Sequence, residues 1–264
     1  IYFNCFEQQV VSPESLSVTL SDRHFGVGGD GIILICPSQT ADAKMRIFNL
    51  DGSEGKMCGN GIRCVGKYLY DHRMVDKTEL TVETLSGIKK LHLYVQDGKV
   101  GSVSVSMGKA ELRPERIPVQ LEGDRAVHVP VTIDGQPYDI TCVSMGNPHC
   151  VVFCDNVDGI ELDKVGPLFE FNELFPERVN TEFVQVIDAT TVKMRVWERG
   201  SGETWACGTG ACAAAVASVL NGYCKQGEDV TVKLKGGELI IHYTEDDVVM
   251  TGEAKTVFQG EVEI

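Results

Sequence analysis

Met57-Cys58-Gly59-Asn60-Gly61 and Ala206-Cys207-Gly208-Thr209-Gly210 are nearly the same five-residue word, written twice in one chain. Each copy follows a Gly-Ser pair, Gly52-Ser53 or Gly200-Ser201, and each is followed by a second cysteine, Cys64 or Cys212. Each also opens a stretch that reads as a helix, over 61–70 and 211–220. Both stretches are apolar on most faces, which predicts helices buried inside sheets rather than lying on them. The two words stand about one domain length apart, so the chain reads as two halves of one plan.

Alternating apolar and polar residues predict strands over 78–84, 88–95, 100–107, 127–133, 182–187, 191–197, 229–234 and 238–243. Asp97-Gly98, Asp134-Gly135 and Gly236-Gly237 read as hairpin turns, because these residues tolerate positive φ; the pairing is therefore expected to be mainly antiparallel. A third, shorter and more exposed helix is expected over 161–169. The class is α+β. Pro114 and Pro118 mark a crossover, which divides the chain into a lobe over 1–110 and a lobe over 111–251, with a final strand in 252–264 returning to the first.

Lys and Arg number 24 against 38 for Asp and Glu, a net charge of -14 over 264 residues. Such a surface repels phosphate backbones and anionic lipid, which argues against nucleic-acid and membrane partners. No window approaches the ~20 apolar residues of a membrane span, and Ile1-Tyr2-Phe3-Asn4 lacks the layout of a signal peptide, so a cytoplasmic protein is expected. The chain begins without methionine in what reads as the middle of a strand, so an upstream segment is expected before Ile1. The 10 cysteines contain no C-x-x-C, which fits reduced thiols and argues against zinc or thioredoxin-type chemistry.

A cysteine at a Gly-rich helix entry sits where unpaired N–H groups and the positive dipole end favour negative charge. The same N–H groups can hold a carboxylate, and glycine lets the backbone approach it. Two such sites suggest a substrate gripped between the lobes with a sulfur on either side. The chemistry that needs acid/base groups on opposite faces of one carbon is stereoinversion: one thiolate removes the α-proton and the other thiol delivers a new one. The helix N-termini would stabilise charge developing on the carboxylate, so neither metal nor other cofactor is expected. Read alone, Cys64 and Cys212 pack, His149 is a structural or surface histidine, Glu198 and Arg199 are a solvated pair, and Asn49, Asn147 and Asn180 are turn formers.

Asn49-Leu50-Asp51-Gly52-Ser53 running into Met57-Cys58-Gly59-Asn60-Gly61-Ile62-Arg63-Cys64 resembles the signature of the diaminopimelate epimerases. Ser144-Met145-Gly146-Asn147-Pro148-His149, Phe175 to Asn180, and Trp197 to Thr204 with Ala206 to Gly210 are similar to the family's remaining blocks, in its order. The resemblance covers essentially the whole chain. It implies two pseudo-symmetric lobes, each a mostly antiparallel, curled, barrel-like sheet around a central helix, with the site in the cleft between them. It also implies a cofactor-independent enzyme that interconverts LL- and meso-2,6-diaminopimelate on the route to lysine and peptidoglycan, commonly as a homodimer. By this resemblance Cys58 and Cys207 are the acid/base pair. Asn49, Asn147 and Asn180 contact substrate, Glu198 and Arg199 bind its polar ends, and Gly59-Asn60 and Gly208-Thr209 supply backbone donors to the carboxylate. His149 and Glu198 would tune the cysteines. In the family a Gly-Asn-Asp-aromatic segment that contacts substrate precedes the position of Ile1, and some relatives have a polar side chain where Gly31 stands.

Three other functions compete with this one. Proline or hydroxyproline racemases share the two-thiol logic and phenazine-type isomerases the fold, but the Asn-x-Asp-Gly-Ser block favours diaminopimelate. A thiol redox protein with a Cys58–Cys207 disulfide explains the cysteines but not the duplicated glycines. An amino-acid-binding module without catalysis is separated from an enzyme by assay.

Overall fold

The structure, a computed structural model, describes residues 1–263. It divides into two compact units, one comprising Ile1–Val105 and the stretch from Gly252 on, the other Ser106–Thr251.

The first unit begins with β1 (Tyr2–Asn4), α1 (Pro13–Ser21), β2 (Gly31–Cys36), β3 (Ala43–Asn49) and β4 (Glu54–Gly55). It continues with α2 (Gly59–Asp71), β5 (Glu79–Thr84), β6 (Gly87–Gln96) and β7 (Lys99–Gly108), and the chain leaves the unit inside β7. The strand order is β1-β2-β3-β5-β6-β7, with β4 on β3. The β2/β3, β5/β6 and β6/β7 pairs are antiparallel hairpins. The β1/β2 and β3/β5 pairs are parallel, because α1 and α2 carry the chain across.

The second unit opens with β8 (Val129–Ile133) and β9 (Gln136–Ser144). It then repeats the first unit's order: β10 (Pro148–Phe153), α3 (Leu162–Glu170), β11 (Asn180–Asp188), β12 (Thr191–Glu198), β13 (Gly202–Thr204), α4 (Gly208–Leu220), β14 (Asp229–Leu234), β15 (Gly237–Tyr243) and β16 (Val248–Glu253). The β10/β11 and β12/β14 pairs are parallel across α3 and α4, as are their counterparts in the first unit. Gly31 pairs with Asn49 across β2/β3, and Glu182 with Val196 across β11/β12. These registers make Ile33 and Glu182 equivalent positions, as are Cys58 and Cys207.

Each sheet is covered on both faces. Ile32, Leu34 and Phe48 pack with Leu20 of α1 in one core, while Ile33 turns to the opposite face beneath α2. Cys150, Val152 and Phe183 join Phe169 of α3, and Glu182 turns beneath α4. Residues 32–35 therefore read as an unbroken apolar run, since a strand buried on both faces loses its alternation. Among the described residues α4 packs against β9, β10, β11, β12, β14 and β15, so this sheet curls round its helix.

Several local expectations are corrected. The barrel-like sheets do not close: β1 and β8 end the strand order with a neighbour on one side only among the described residues. On the β8 edge, Pro130 lacks the N–H that continued pairing would use. The helices begin at Gly59 and Gly208, inside the repeated words, and α2 is partly exposed along Cys64, Lys67 and Tyr68. The turn between β14 and β15 is Lys235-Gly236, since Leu234 pairs with Gly237. The stretch around Pro114 is a one-turn 3-10 helix of the second unit, with Ile117 and Val119 buried. The stretch from Gly252 on groups with the first unit, and after Glu253 it has no regular structure among the described residues.

Candidate active site

Cys58 and Cys207 are the N-cap residues of α2 and α4. Both have extended backbone, φ -134° and ψ 116° for Cys58 and φ -125° and ψ 111° for Cys207. Each sulfur takes the place usually held by a serine or aspartate oxygen. Cys58 Sγ accepts the Gly61 N–H at 3.3 Å and Cys207 Sγ the Gly210 N–H at 3.4 Å. The cysteine carbonyls accept the first helical bonds, from Ile62 and Ala211, both at 2.9 Å. The N–H groups of Gly59 and Asn60, and of Gly208 and Thr209, then stand in the first turn, where a helix offers them no internal acceptor. Each unit thus presents a sulfur and anion-binding N–H groups at one helix end.

Glycine at the fifth position of each word lets the helix approach the strand beneath it closely. A Cβ at Gly61 would meet Ile33 Cδ1 at 2.4 Å, and one at Gly210 would meet Glu182 Oε1 at 2.6 Å.

The two thiols have different surroundings. Burial pushes the Cys58 thiol up, while the N–H groups of Gly61 and Asn60 and the Arg63 guanidinium pull it down. Burial pushes Cys207 further, well above the ordinary thiol value, and the carboxylates of Glu198 and Glu182 add to this. The Thr209 hydroxyl and the Gly210 N–H oppose them.

In the first unit, Asn49 ends β3, exposed, and its Nδ2 donates to Ser53 Oγ at 3.0 Å. Ser53 Oγ donates in turn to Asp51 Oδ1 at 2.6 Å, which shapes the Asn49–Ser53 turn. Gly31 opposes Asn49 with φ 147°, and a Cβ there would lie 2.1 Å from the Phe48 carbonyl oxygen. This backbone admits no side chain at position 31.

In the second unit, His149 is fully buried. Its Nδ1 lies 2.7 Å from Glu182 Oε1 and its Nε2 3.0 Å from Asn147 Oδ1. Asn147 Nδ2 donates to Thr209 Oγ1 at 3.3 Å, and Thr209 Oγ1 lies 3.6 Å from Cys207 Sγ. Asn147, His149, Thr209 and Cys207 are therefore brought together. Asn180 is buried: its Nδ2 donates to the Pro148 carbonyl at 3.0 Å and its Oδ1 accepts the Arg199 N–H at 2.9 Å, which ties the ends of β10, β11 and β12. Glu198 Oε1 accepts a short hydrogen bond from Thr204 Oγ1. The exposed Arg199 donates from Nη1 to the Glu177 carbonyl at 2.8 Å.

Sequence reading missed Glu182 and the Thr209 hydroxyl. The available signal was a carboxylate in the strand segment Thr181-Glu182-Phe183-Val184, where burial demands a partner. Among the described residues no group of three or more His, Cys, Asp or Glu side chains is placed to hold a metal ion, and no helix is long and apolar enough to cross a membrane.

The family model for diaminopimelate epimerase matches residues 1–113 and 141–257. The diaminopimelate epimerase of Acetivibrio thermocellus is 57% identical over 266 residues, spanning 100% of this chain and 94% of its own. That of Desulfovibrio desulfuricans is 56% identical over 269 residues, spanning 99% of this chain and 93% of its own. Among solved structures, a PhzF-family phenazine biosynthesis protein of Enterococcus faecalis gives a TM-score of 0.70 at 14% identity, over 100% of this chain and 92% of that one. That likeness shows the fold alone, and the two curated relatives carry the closer kinship. The chain belongs to the diaminopimelate epimerase family.

Proposed function

We propose that the protein interconverts LL- and meso-2,6-diaminopimelate by moving protons between its α-carbon and two cysteines, with no cofactor. The observation that carries this reading is the pair of N-cap cysteines, alike in backbone and hydrogen bonding, each at a helix end able to hold an anion.

One sulfur, as thiolate, takes the α-proton; the other, as thiol, gives its proton to the opposite face of the carbon. The two cysteines end with their roles exchanged. Cys58 is the readier thiolate of the two, because its surroundings lack the carboxylates that hold the proton on Cys207. As the α-proton leaves, charge moves onto the substrate carboxylate, and the N–H groups of Gly59, Asn60, Gly208 and Thr209 stabilise it there. Glu198 and Arg199 serve the polar ends of the substrate, and Asn49, Asn147 and Asn180 orient it. Asn180 already uses its oxygen and one N–H on backbone, so it offers substrate a single N–H. His149 and Glu198 tune the cysteines. The enzyme works as a homodimer, and it works in the cytoplasm. Light scattering in solution and cell fractionation test the last two statements.

The test of function is incubation of the purified protein with LL-diaminopimelate and chiral separation of the products. Meso-diaminopimelate is expected to accumulate to equilibrium, with no turnover of proline or hydroxyproline. Turnover of either imino acid in its place would assign a different reaction of the same fold.

A further inference from the structure

A one-way chain of hydrogen bonds ends on the Cys207 sulfur. Asn147 turns its amide nitrogen to Thr209 Oγ1, so its oxygen faces His149 and can only accept. His149 Nε2 therefore carries a hydrogen. Nδ1 lies 2.7 Å from Glu182 Oε1, so a hydrogen sits between these two atoms. Thr209 Oγ1 accepts from Asn147, which leaves its own hydrogen for Cys207 Sγ at 3.6 Å.

We propose that the Thr209 hydroxyl is a further catalytic group, a donor that stabilises the Cys207 sulfur whenever it holds negative charge, and that buried Glu182 is the positioning residue that holds the chain in this direction through His149 and Asn147. The inference rests on the reading of Cys207 as an acid/base residue.

The device belongs to one half of the molecule only. Asn60 stands at the equivalent position beside Cys58, and Ile33 at the position of Glu182. The groups facing Cys207 are Glu182 from β11, Glu198 from β12, and Thr209 and the Gly210 N–H from α4, with His149 of β10 behind Asn147. Burial and both carboxylates favour the proton on this sulfur, and a donor hydrogen-bonded to the thiolate opposes them. Glu182 is fully buried and, among the described residues, its Oε2 has no hydrogen-bond partner, so its place beneath α4 carries a cost in stability.

The test is iodoacetamide alkylation of the whole protein at fixed alkaline pH, with the rates at Cys207 and Cys58 followed separately by peptide mass spectrometry. Thr209→Val is expected to slow Cys207 by about tenfold, the usual effect of one hydrogen bond to a charged group, while Cys58 is unchanged. Thr209→Ser is expected to restore the rate. Glu182→Gln is expected to change the Cys207 rate by a different factor when Thr209 is already Val, since the direct influence of its carboxylate remains while the part that runs through that hydroxyl is lost. An unaltered Cys207 rate in Thr209→Val, or the same effect of Glu182→Gln in both backgrounds, would overturn the proposal. Alkylation does not depend on turnover, so a parent protein that failed to epimerise while these rates still shifted would refute the proposed function and not this inference.

Discussion

At the residue scale the account rests on two sulfurs in a capping role. Serine is among the best N-cap residues, so Cys58→Ser and Cys207→Ser should keep the fold, and their melting temperatures should match the parent's within a few degrees. Serine does not ionise near neutral pH, so each variant lacks one half of the proton relay. Epimerisation should fall about a thousandfold or more in both. Steady-state assays on the two variants decide this, and near-parental turnover in either would remove that cysteine from the mechanism. The cysteines were legible because their word is written twice. Glu182 was not, because a lone carboxylate in a strand gains its meaning only from the helix end above it and His149 beside it.

At the element scale the close approach of strand and helix should leave a measurable asymmetry. Ile33 Cδ1 is the free end of a side chain and can rotate away from a methyl group at position 61. Glu182 Oε1 is held by His149 and cannot yield as easily to one at position 210. Gly210→Ala is therefore expected to cost about 1–3 kcal/mol, and Gly61→Ala clearly less, once the helix propensity gained from alanine is counted. Denaturant unfolding of both variants measures the difference, and equal costs would show that the Glu182 carboxylate moves freely. Most strands were visible as alternation, and hairpin turns such as Asp97-Gly98 came from their positive φ residues. β2 was not visible as alternation because Ile32, Ile33, Leu34 and Ile35 are buried on both faces of the sheet. α1 escaped because Pro13–Ser21 buries only Pro13, Ser17, Leu20 and Ser21, too few apolar positions to mark a helical period. The starts of α2 and α4 were placed two or three residues late because a Gly-rich word looks like a loop until the cysteine is recognised as its cap.

At the scale of the whole molecule, the second unit repeats the first element for element from β10 onward, and an inversion of configuration gives such duplication a purpose. On the proposed mechanism each half supplies one acid/base group and one anion-binding helix end, and the halves differ around the sulfur: Ile33 and Asn60 near one thiol, Glu182 and Thr209 near the other. The most direct measurement is the early time course of the reaction in deuterated water, starting in turn from the LL and the meso isomer. If two sulfurs serve opposite faces of one carbon, deuterium appears at the α-carbon of the product while recovered substrate stays unlabelled. Label entering recovered substrate as fast as product would mean that one base serves both faces, and would contradict the account.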